Sequence, residues 1–397
     1  MAKLKFLQRV DTDRSVWEMS LERMHRVYDM FDHVVVLFSG GKDSTATLQV
    51  ALAVAEERGE TPVRTVFWDE EAIPQETVEY VRRVGQDPRV ALEWYCLPIQ
   101  HRNACSRSSP YWWPWAPEAR DLWVRPLPPE ALTELEGFPM EPPSVRPSAP
   151  RAAALLCRPE RGRVAMLMGI RAEESLMRQR SVTRRVEDNY IVVNGDCPAG
   201  NVSKVYPVYD WKTADVWTAP KLFGWDYNRA YDIMEMAGVK MTDQRCSPAF
   251  GEEPLEKLWT YATCFPDVWD RMLERVPGVG AAYRYARTEL YAYGGVPDPP
   301  PGVSWQDHIL EVVSRHDPDV QNKVVAGIRD KIARHYRQTT DPILPTARHP
   351  MTGMSWRRLY MLASRGDLKN RKDTTPGEAD RERLAAKYNE ERSRLGW

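Results

Sequence analysis

An α/β fold, a parallel twisted sheet flanked by helices, is predicted by three features of this 397-residue chain. The first is Val34-Val-Val-Leu-Phe38, a short apolar run of β type. It passes at once into Ser39-Gly40-Gly41-Lys42-Asp43-Ser44 and then into a helical pattern (Ala46, Leu48, Ala51, Leu52, Ala55) that stops at Gly59. The second is the strand-like run 62–68, ending in Asp69-Glu70-Glu71, which completes a βαβ unit. Such units cross over right-handed and leave ligands at the carboxyl ends of parallel strands. The third is a pair of further strand-like runs, 89–97 and 164–168, separated by a Trp/Pro-rich insertion and followed by a helical C-terminal part.

Taken in order, residues 13–31 read as an amphipathic helix with Val16, Met19, Leu21, Met24, Val27, Tyr28 and Phe31 on or near one side. The loop after the first strand has the chemistry of a phosphate site. The first amides of a helix have no partner within it and lie at the positive end of its dipole. Gly40 and Gly41 let backbone approach an anion, the hydroxyls of Ser39, Ser44 and Thr45 add donors, and Lys42 adds charge. The spacing is too short for a Walker A loop. A glycine turn with no ligand is the plain alternative. Asp69 and Glu70 fall beside this loop, and residues 73–81 open a helix, for which capping carboxylates are the plain reading of the acids.

Twelve prolines and four tryptophans between 98 and 150 exclude ordinary helix or central strand over most of that stretch. So many aromatics also argue against disorder, and a folded excursion or lid over the carboxyl end of the sheet is expected. His101, Arg102, Asn103, Arg107 and Tyr111-Trp-Trp-Pro-Trp115 suit a flat anionic partner, a nucleotide or single-stranded nucleic acid, although packing is the commoner role of such tryptophans. After the strand 164–168, Gly169 permits close backbone approach and Arg171 falls within reach of a phosphate. Glu173, Glu174 and Ser175 fit a helix start, and Arg178, Arg180, Arg184 and Arg185 form a cationic run; a solvated face is the alternative. The stretch Tyr206–Trp217 reads as a strand end and a helix capped by Asp210 or Thr213. Helices follow at 226–237, 255–261, 267–273, 281–291, 305–315 and 318–337, and residues 349–360 place Trp356 and Tyr360 beside Arg357 and Arg358, a spacing suited to a phosphate backbone. The expected organisation is an N-terminal helix (1–33), a nucleotide-binding domain (34–255) carrying the insertion 98–150, and a helical C-terminal domain and tail (256–397).

Net charge is -1 with 28% charged residues, so no global positive field draws the chain to nucleic acid, and any such contact is a local patch. The six cysteines and seven histidines are dispersed without a Cys-x-x-Cys pair, which fits a reduced cytoplasmic protein and leaves a zinc or iron–sulfur site without support. The N-terminus lacks the apolar core of a signal peptide, and no run has the roughly 18 apolar residues of a membrane helix.

Four motifs carry a family resemblance. Ser39–Ser44 resembles the PP-loop of the N-type ATP pyrophosphatases and PAPS reductases, and Asp69 with Glu76-Thr77 is similar to their acidic strand end and helix start. Gly169-x-Arg171-x-x-Glu174-Ser175-x-x-Arg178 resembles the substrate motif of PAPS reductase-like proteins, and Pro207-x-x-Asp210-Trp211-x-x-x-Asp215-Val-Trp217 their following element. The resemblance spans about residues 34–251 and implies an adenine nucleotide alpha hydrolase-like fold. The Trp-rich insertion and the Ser355-Trp-Arg-Arg358 ending look most like the phage-associated IbrA-type branch, whose members often accompany a ParB-like partner; DndC-type proteins are a more distant likeness.

By this resemblance ATP or PAPS sits on Ser39, Gly40, Gly41, Lys42, Asp43, Ser44 and Thr45, with Asp69, Gly169 and Arg171 completing the nucleotide site. Lys42, Asp43 and Arg171 act in catalysis, Glu174, Ser175, Arg178 and Arg180 contact substrate, and Asp43 and Asp69 hold Mg2+. A sulfonucleotide reductase attacks sulfate with a cysteine in a C-terminal Glu-Cys-Gly-x-His segment, and here no cysteine follows Cys264. Three functions are therefore expected. The first is α-β pyrophosphate cleavage of ATP with adenylyl transfer to a nucleic acid, a small acid or a protein. The second is PAPS-dependent sulfur or sulfate transfer using Cys96, Cys105 or Cys246, and the third is a nucleotide-sensing subunit working with a ParB-like protein or DNA. A homo-oligomer is compatible with each.

Overall fold

The computed structural model describes residues 13–106, 108–156, 162–174, 178, 182, 188–195, 197, 200–248, 258–285, 298–314, 316, 318–365, 376 and 378–397. They form two compact units, Met1–Ala286 and Arg287–Trp397.

The first unit opens with α1 (Val16–Met30), whose N-cap Ser15 and Glu18 close a reciprocal capping box. Then come β1 (His33–Phe38), α2 (Lys42–Arg58), β2 (Val63–Trp68), α3 (Gln75–Gly85) and β3 (Val90–Tyr95). The insertion contributes a two-strand ribbon of β4 (His101–Arg102) and β5 (Tyr111–Trp112) and ends in α4 (Ala149–Leu156). β6 (Val164–Met168), β7 (Ile191–Val193) and β8 (Val202–Val205) finish the main sheet, in the order β3-β2-β1-β6-β8-β7. All neighbours are parallel except β7, which runs antiparallel to β8 at the edge and which no sequence pattern announced.

Alternation along the strands builds a three-layer unit. Val36, Phe38, Phe67, Ala165, Leu167 and Val205 face a core completed by α1, α2 and α3. Val35, Val66, Val164, Met166 and Val202 face the other way, onto Phe138, α4 and the partly buried Leu135 and Met140 of the insertion. The excursion is thus largely the sheet's second covering layer and only in part a cover for its carboxyl end. α5 (Thr213–Phe223) packs on the first core. Its N-cap is Lys212, not Thr213 or Asp210; Asp215 accepts from the Lys212 amide at 2.7 Å. Asp210 instead pairs with Arg23 of α1, and Trp211 Nε1 donates to Ser20 Oγ at 2.8 Å, so the Asp210-Trp211 element anchors the N-terminal helix.

A separate cluster joins α6 (Ala230–Met236), α7 (Leu258–Cys264), α8 (Pro266–Arg275) and α9 (Val279–Tyr285) to Ala72 after β2 and to Cys105, Trp112 and Val124 of the insertion. This packing places residues 258–285 with the first unit. Its polar centre is Glu71, fully buried at φ 61°, which accepts from Arg275 Nε at 2.8 Å and from the Trp115 and Val124 amides at 2.6 and 3.0 Å. Asp69 is equally buried and receives Arg125 and the Trp94 indole N–H.

The second unit holds α10 (Trp305–Ser314), α11 (Pro318–Gln338), α12 (Trp356–Arg365) and α13 (Glu378–Arg394). Ile309, Val313, Val324, Ile343, Leu359 and Ala363 form its core. Among the described residues no helix is long and apolar enough to cross a membrane.

Arg275→Met should leave the Glu71 carboxylate buried without its cation and cost about 3–5 kcal/mol, read as a shift of the urea unfolding midpoint of the intact chain followed by tryptophan fluorescence. An unchanged midpoint would show that the pair does not hold α8 to the sheet.

Candidate nucleotide site at the sheet switch point

The chain runs outward from β1 to β2 and β3, then returns to the other side of β1 as β6. Ligands in open α/β sheets bind in the crevice beyond the strand ends where the order reverses. The loops after β1 and β6 meet there. A Cβ on Gly169 would lie 2.6 Å from the carbonyl carbon and oxygen of Asp43 and from the Ser44 amide nitrogen, so a glycine is required for the two loops to touch.

The loop is shaped by contacts from four directions. Gly40 takes φ +72°, and a Cβ there would press on Thr77 and Val81 of α3. Its carbonyl accepts from Asn228 Nδ2 at 2.9 Å. Gly41, the N-cap of α2, supplies no side chain to the first-turn amides. The Lys42 amide donates to the Tyr231 hydroxyl at 3.0 Å, and the hydroxyls of Ser39 and Ser44 lie 3.0 Å apart. Thr45 Oγ1 bonds the Gly41 carbonyl and contacts the Tyr80 hydroxyl at 2.9 Å.

Lys42 is nearly buried. Its Nζ donates to the Gln244 carbonyl at 3.2 Å and stands 3.6 Å from Asp43, and burial holds its ammonium below the usual lysine range. Arg171 is buried, with Nε 2.5 Å from Asp43 Oδ1 and Nη1 3.1 Å from Glu173. It also donates to the Trp211 carbonyl and to Thr213. The arginine braces the loop after β6 against that after β1. Glu174 pairs with Arg178. Ser175 and Arg180 lie outside the described residues, as do Arg107, Arg184 and Arg185.

Asp69 is bonded on every side within the protein. Arg125 engages both of its carboxylate oxygens, Trp94 donates to one, and the Glu71 amide to the other, so its lone pairs are already used. It does not fit a metal ligand. Among the described residues no group of three His, Cys, Asp or Glu side chains is arranged to hold a metal ion. Sequence reasoning missed Asn228, Tyr231 and Gln244 at the loop. Asn228 had one readable signal, its position before α6, where its Oδ1 accepts from the Ala230 amide.

Residues 33–233, just over half of the chain, match the phosphoadenosine phosphosulfate reductase domain. The chain belongs to that family. Residues 238–343 of this PAPS reductase-domain protein match a domain of unknown function, DUF3440. It is similar to the uncharacterized protein YbdN of Escherichia coli strain K12, with 29% identity over 367 residues covering 89% of this chain and 88% of YbdN. Among solved structures, FMN adenylyltransferase of Candida glabrata in complex with FMN and an ATP analogue shares 14% identity at a TM-score of 0.32, over 57% of this chain and 65% of that one. The chain thus spans a little under two thirds of that adenylyltransferase. The PAPS reductase of Candida auris, as a phosphate complex, shares 14% identity at a TM-score of 0.31, over 57% of this chain and 94% of that one.

Gly169→Ala is expected to destabilise the first unit by about 1–3 kcal/mol, the usual cost of overpacking, seen as a lower thermal midpoint. A variant as stable as the wild type would mean that the two loops separate freely.

Proposed function

We propose that this PAPS reductase-domain protein binds ATP on Ser39, Gly40, Gly41, Lys42, Ser44 and Thr45 and cleaves it between the α and β phosphorus atoms, transferring the adenylyl group to an acceptor. The observation that carries this reading is the glycine-capped N-terminus of α2 with Lys42 beside it at the switch point of the sheet. A bond forms from the acceptor to the α-phosphorus, the bond to the α-β bridging oxygen breaks, and its electron pair leaves with pyrophosphate. Catalysis of this kind is mostly positioning and charge stabilisation. Loop amides and Lys42 bind and orient the phosphates, while Arg171 keeps Asp43 and the loop in place. With the Asp69 oxygens already bonded, Asp43 is the residue that would help hold Mg2+, which would supply charge neutralisation at the phosphates.

The state of the thiols weighs against sulfur transfer. Cys96, Cys105 and Cys246 are buried; burial raises the Cys96 thiol strongly, Cys105 to about 12 and Cys246 to about 11. A nucleophilic cysteine needs the opposite shift. A second reading follows the IbrA-type likeness, a nucleotide sensor for a ParB-like protein or DNA. The observation favouring it is the separate helical unit 287–397, with Arg357 and Arg358 between Trp356 and Tyr360.

Calorimetric titration of ATP with magnesium, and of PAPS, into wild type and Lys42→Ala tests both readings. ATP should bind the wild type and Lys42→Ala should lose roughly 10–100-fold in affinity, as expected for about 1.5–3 kcal/mol in a charged hydrogen bond. Pyrophosphate release should follow. Tight ATP binding without release with any acceptor would favour the sensor, and preference for PAPS would favour sulfur chemistry. Near neutral pH, Cys96, Cys105 and Cys246 should resist iodoacetamide until the chain is unfolded, as read by mass spectrometry; fast native labelling of Cys246 would restore sulfur transfer.

A further inference from the structure

Much of the glycine turn's donor set is engaged within the protein. The Ser39 amide donates to Ser44 Oγ at 3.2 Å and the Gly41 amide to Ser39 Oγ at 3.3 Å. Ser44 Oγ and Thr45 Oγ1 both donate to the Gly41 carbonyl, at 2.9 and 3.0 Å. These bonds lie inside the loop and its helix, but two others have acceptors from elsewhere in the chain. The Lys42 amide donates to the Tyr231 hydroxyl at 3.0 Å, and the Lys42 ammonium to the Gln244 carbonyl at 3.2 Å. Those two donors are a first-turn amide of α2 and the loop's own cation, the groups that attract an anion most strongly.

Both acceptors belong to one stretch, residues 228–247, and it is tied down as a piece. Asn228 Nδ2 lies within donating distance of the Gly40 carbonyl, Thr77 Oγ1 and Cys246 Sγ, at 2.9, 2.8 and 3.4 Å. Gln244 Nε2 donates to Glu235 Oε2 at 2.7 Å and to the Val239 carbonyl at 3.0 Å, which folds the turn after α6 back onto that helix. The Tyr231 ring meets Trp217 of α5 edge-on with centroids 4.9 Å apart, and Lys42 Nζ stands 5.4 Å from its centre. Tyr231 and Gln244 are buried, and the Lys42 side chain is only 9% exposed. An amide has a single hydrogen to give, so a phosphate oxygen and the Tyr231 hydroxyl compete for the same donor.

We propose, on the nucleotide-binding reading above, that residues 228–247 form an autoinhibitory latch on the glycine turn. The Tyr231 hydroxyl and the Gln244 carbonyl hold the two donors that a phosphate needs, and a nucleotide binds by putting its phosphate oxygens in their place. A charged phosphate oxygen is a stronger acceptor than a neutral hydroxyl or carbonyl, so a polyphosphate drives the exchange, whereas an uncharged ligand has nothing to drive it with. Binding and latching are then linked: whatever weakens the latch tightens nucleotide binding, and nucleotide in turn loosens 228–247.

The test titrates the full chain calorimetrically with inorganic pyrophosphate and with ATP, each with magnesium, and compares wild type with Tyr231→Phe. That substitution keeps the ring against Trp217 and removes only the hydroxyl. The variant should bind both ligands roughly 2–10-fold more tightly, the equivalent of one neutral hydrogen bond that no longer has to be broken, and its thermal midpoint without ligand should be lower. In wild type, ATP should speed amide hydrogen exchange over residues 240–247, read by mass spectrometry. This measurement decides alone if Tyr231→Phe does not fold. Binding by Tyr231→Phe with none by wild type supports a latch held shut. Equal or weaker binding by the variant overturns the latch and leaves nucleotide binding standing, as does exchange over 240–247 that ATP slows or leaves unchanged. If neither chain binds pyrophosphate, ATP or PAPS, the nucleotide reading itself fails and the latch falls with it, a result distinct from equal binding by both.

Discussion

The carboxyl end of β2 depends on charge burial. Two carboxylates, Asp69 and Glu71, lie fully out of water, and a carboxylate so placed persists only if a cation and hydrogen-bond donors replace its hydration. For Asp69 these are Arg125 and the Trp94 indole; for Glu71 they are Arg275 and the amides of Trp115 and Val124. Arg275 also donates to the Trp113 carbonyl at 2.6 Å, so one guanidinium secures both a β-strand terminus and the Trp-rich excursion. The insertion and α8 are held against the sheet by this requirement as much as by apolar packing.

The same segment of chain shapes the nucleotide loop. Once 69–72 is fixed, α3 starts where Thr77 and Val81 bear on Gly40, and the left-handed backbone of that glycine follows from the fit. Opposite, the end of β6 touches Asp43 through Gly169, and Arg171 closes the contact with a charged hydrogen bond. The loop is thus clamped between the ends of two strands.

Membership of the PAPS reductase-domain family bounds the chemistry to a nucleotide fold, and the thiols narrow it further. The described cysteines are all buried, and Cys246 shares its surroundings with Lys42, Asn228 and Tyr261 without the exposure or the lowered pKa of a sulfur nucleophile. Beside the glycine turn stand instead the first-turn amides of α2, the hydroxyls of Ser39, Ser44 and Thr45, and the Lys42 ammonium.

Local pattern made β1, the glycine loop, α2, β2, β3 and β6 legible in the sequence, because alternation, helical period and glycine placement act within a few residues. The expectation of a phosphate on the loop rests on the same local features. Three features were decided only by the tertiary structure. Edge strand β7 is too short to show a period. Arg171 and Asp69 are sequence-local candidates for phosphate and metal, yet each is consumed by a partner inside the protein, Arg171 by Asp43 and Asp69 by Arg125. The division of the chain after Ala286 depends on apolar residues of α7, α8 and α9 meeting Ala72, Cys105 and Trp112. The physical reason is common to the last two features: a desolvated charge or an apolar face is satisfied by whatever the fold brings near. For Glu71 that is an arginine 204 residues away, a distance over which sequence spacing carries no information.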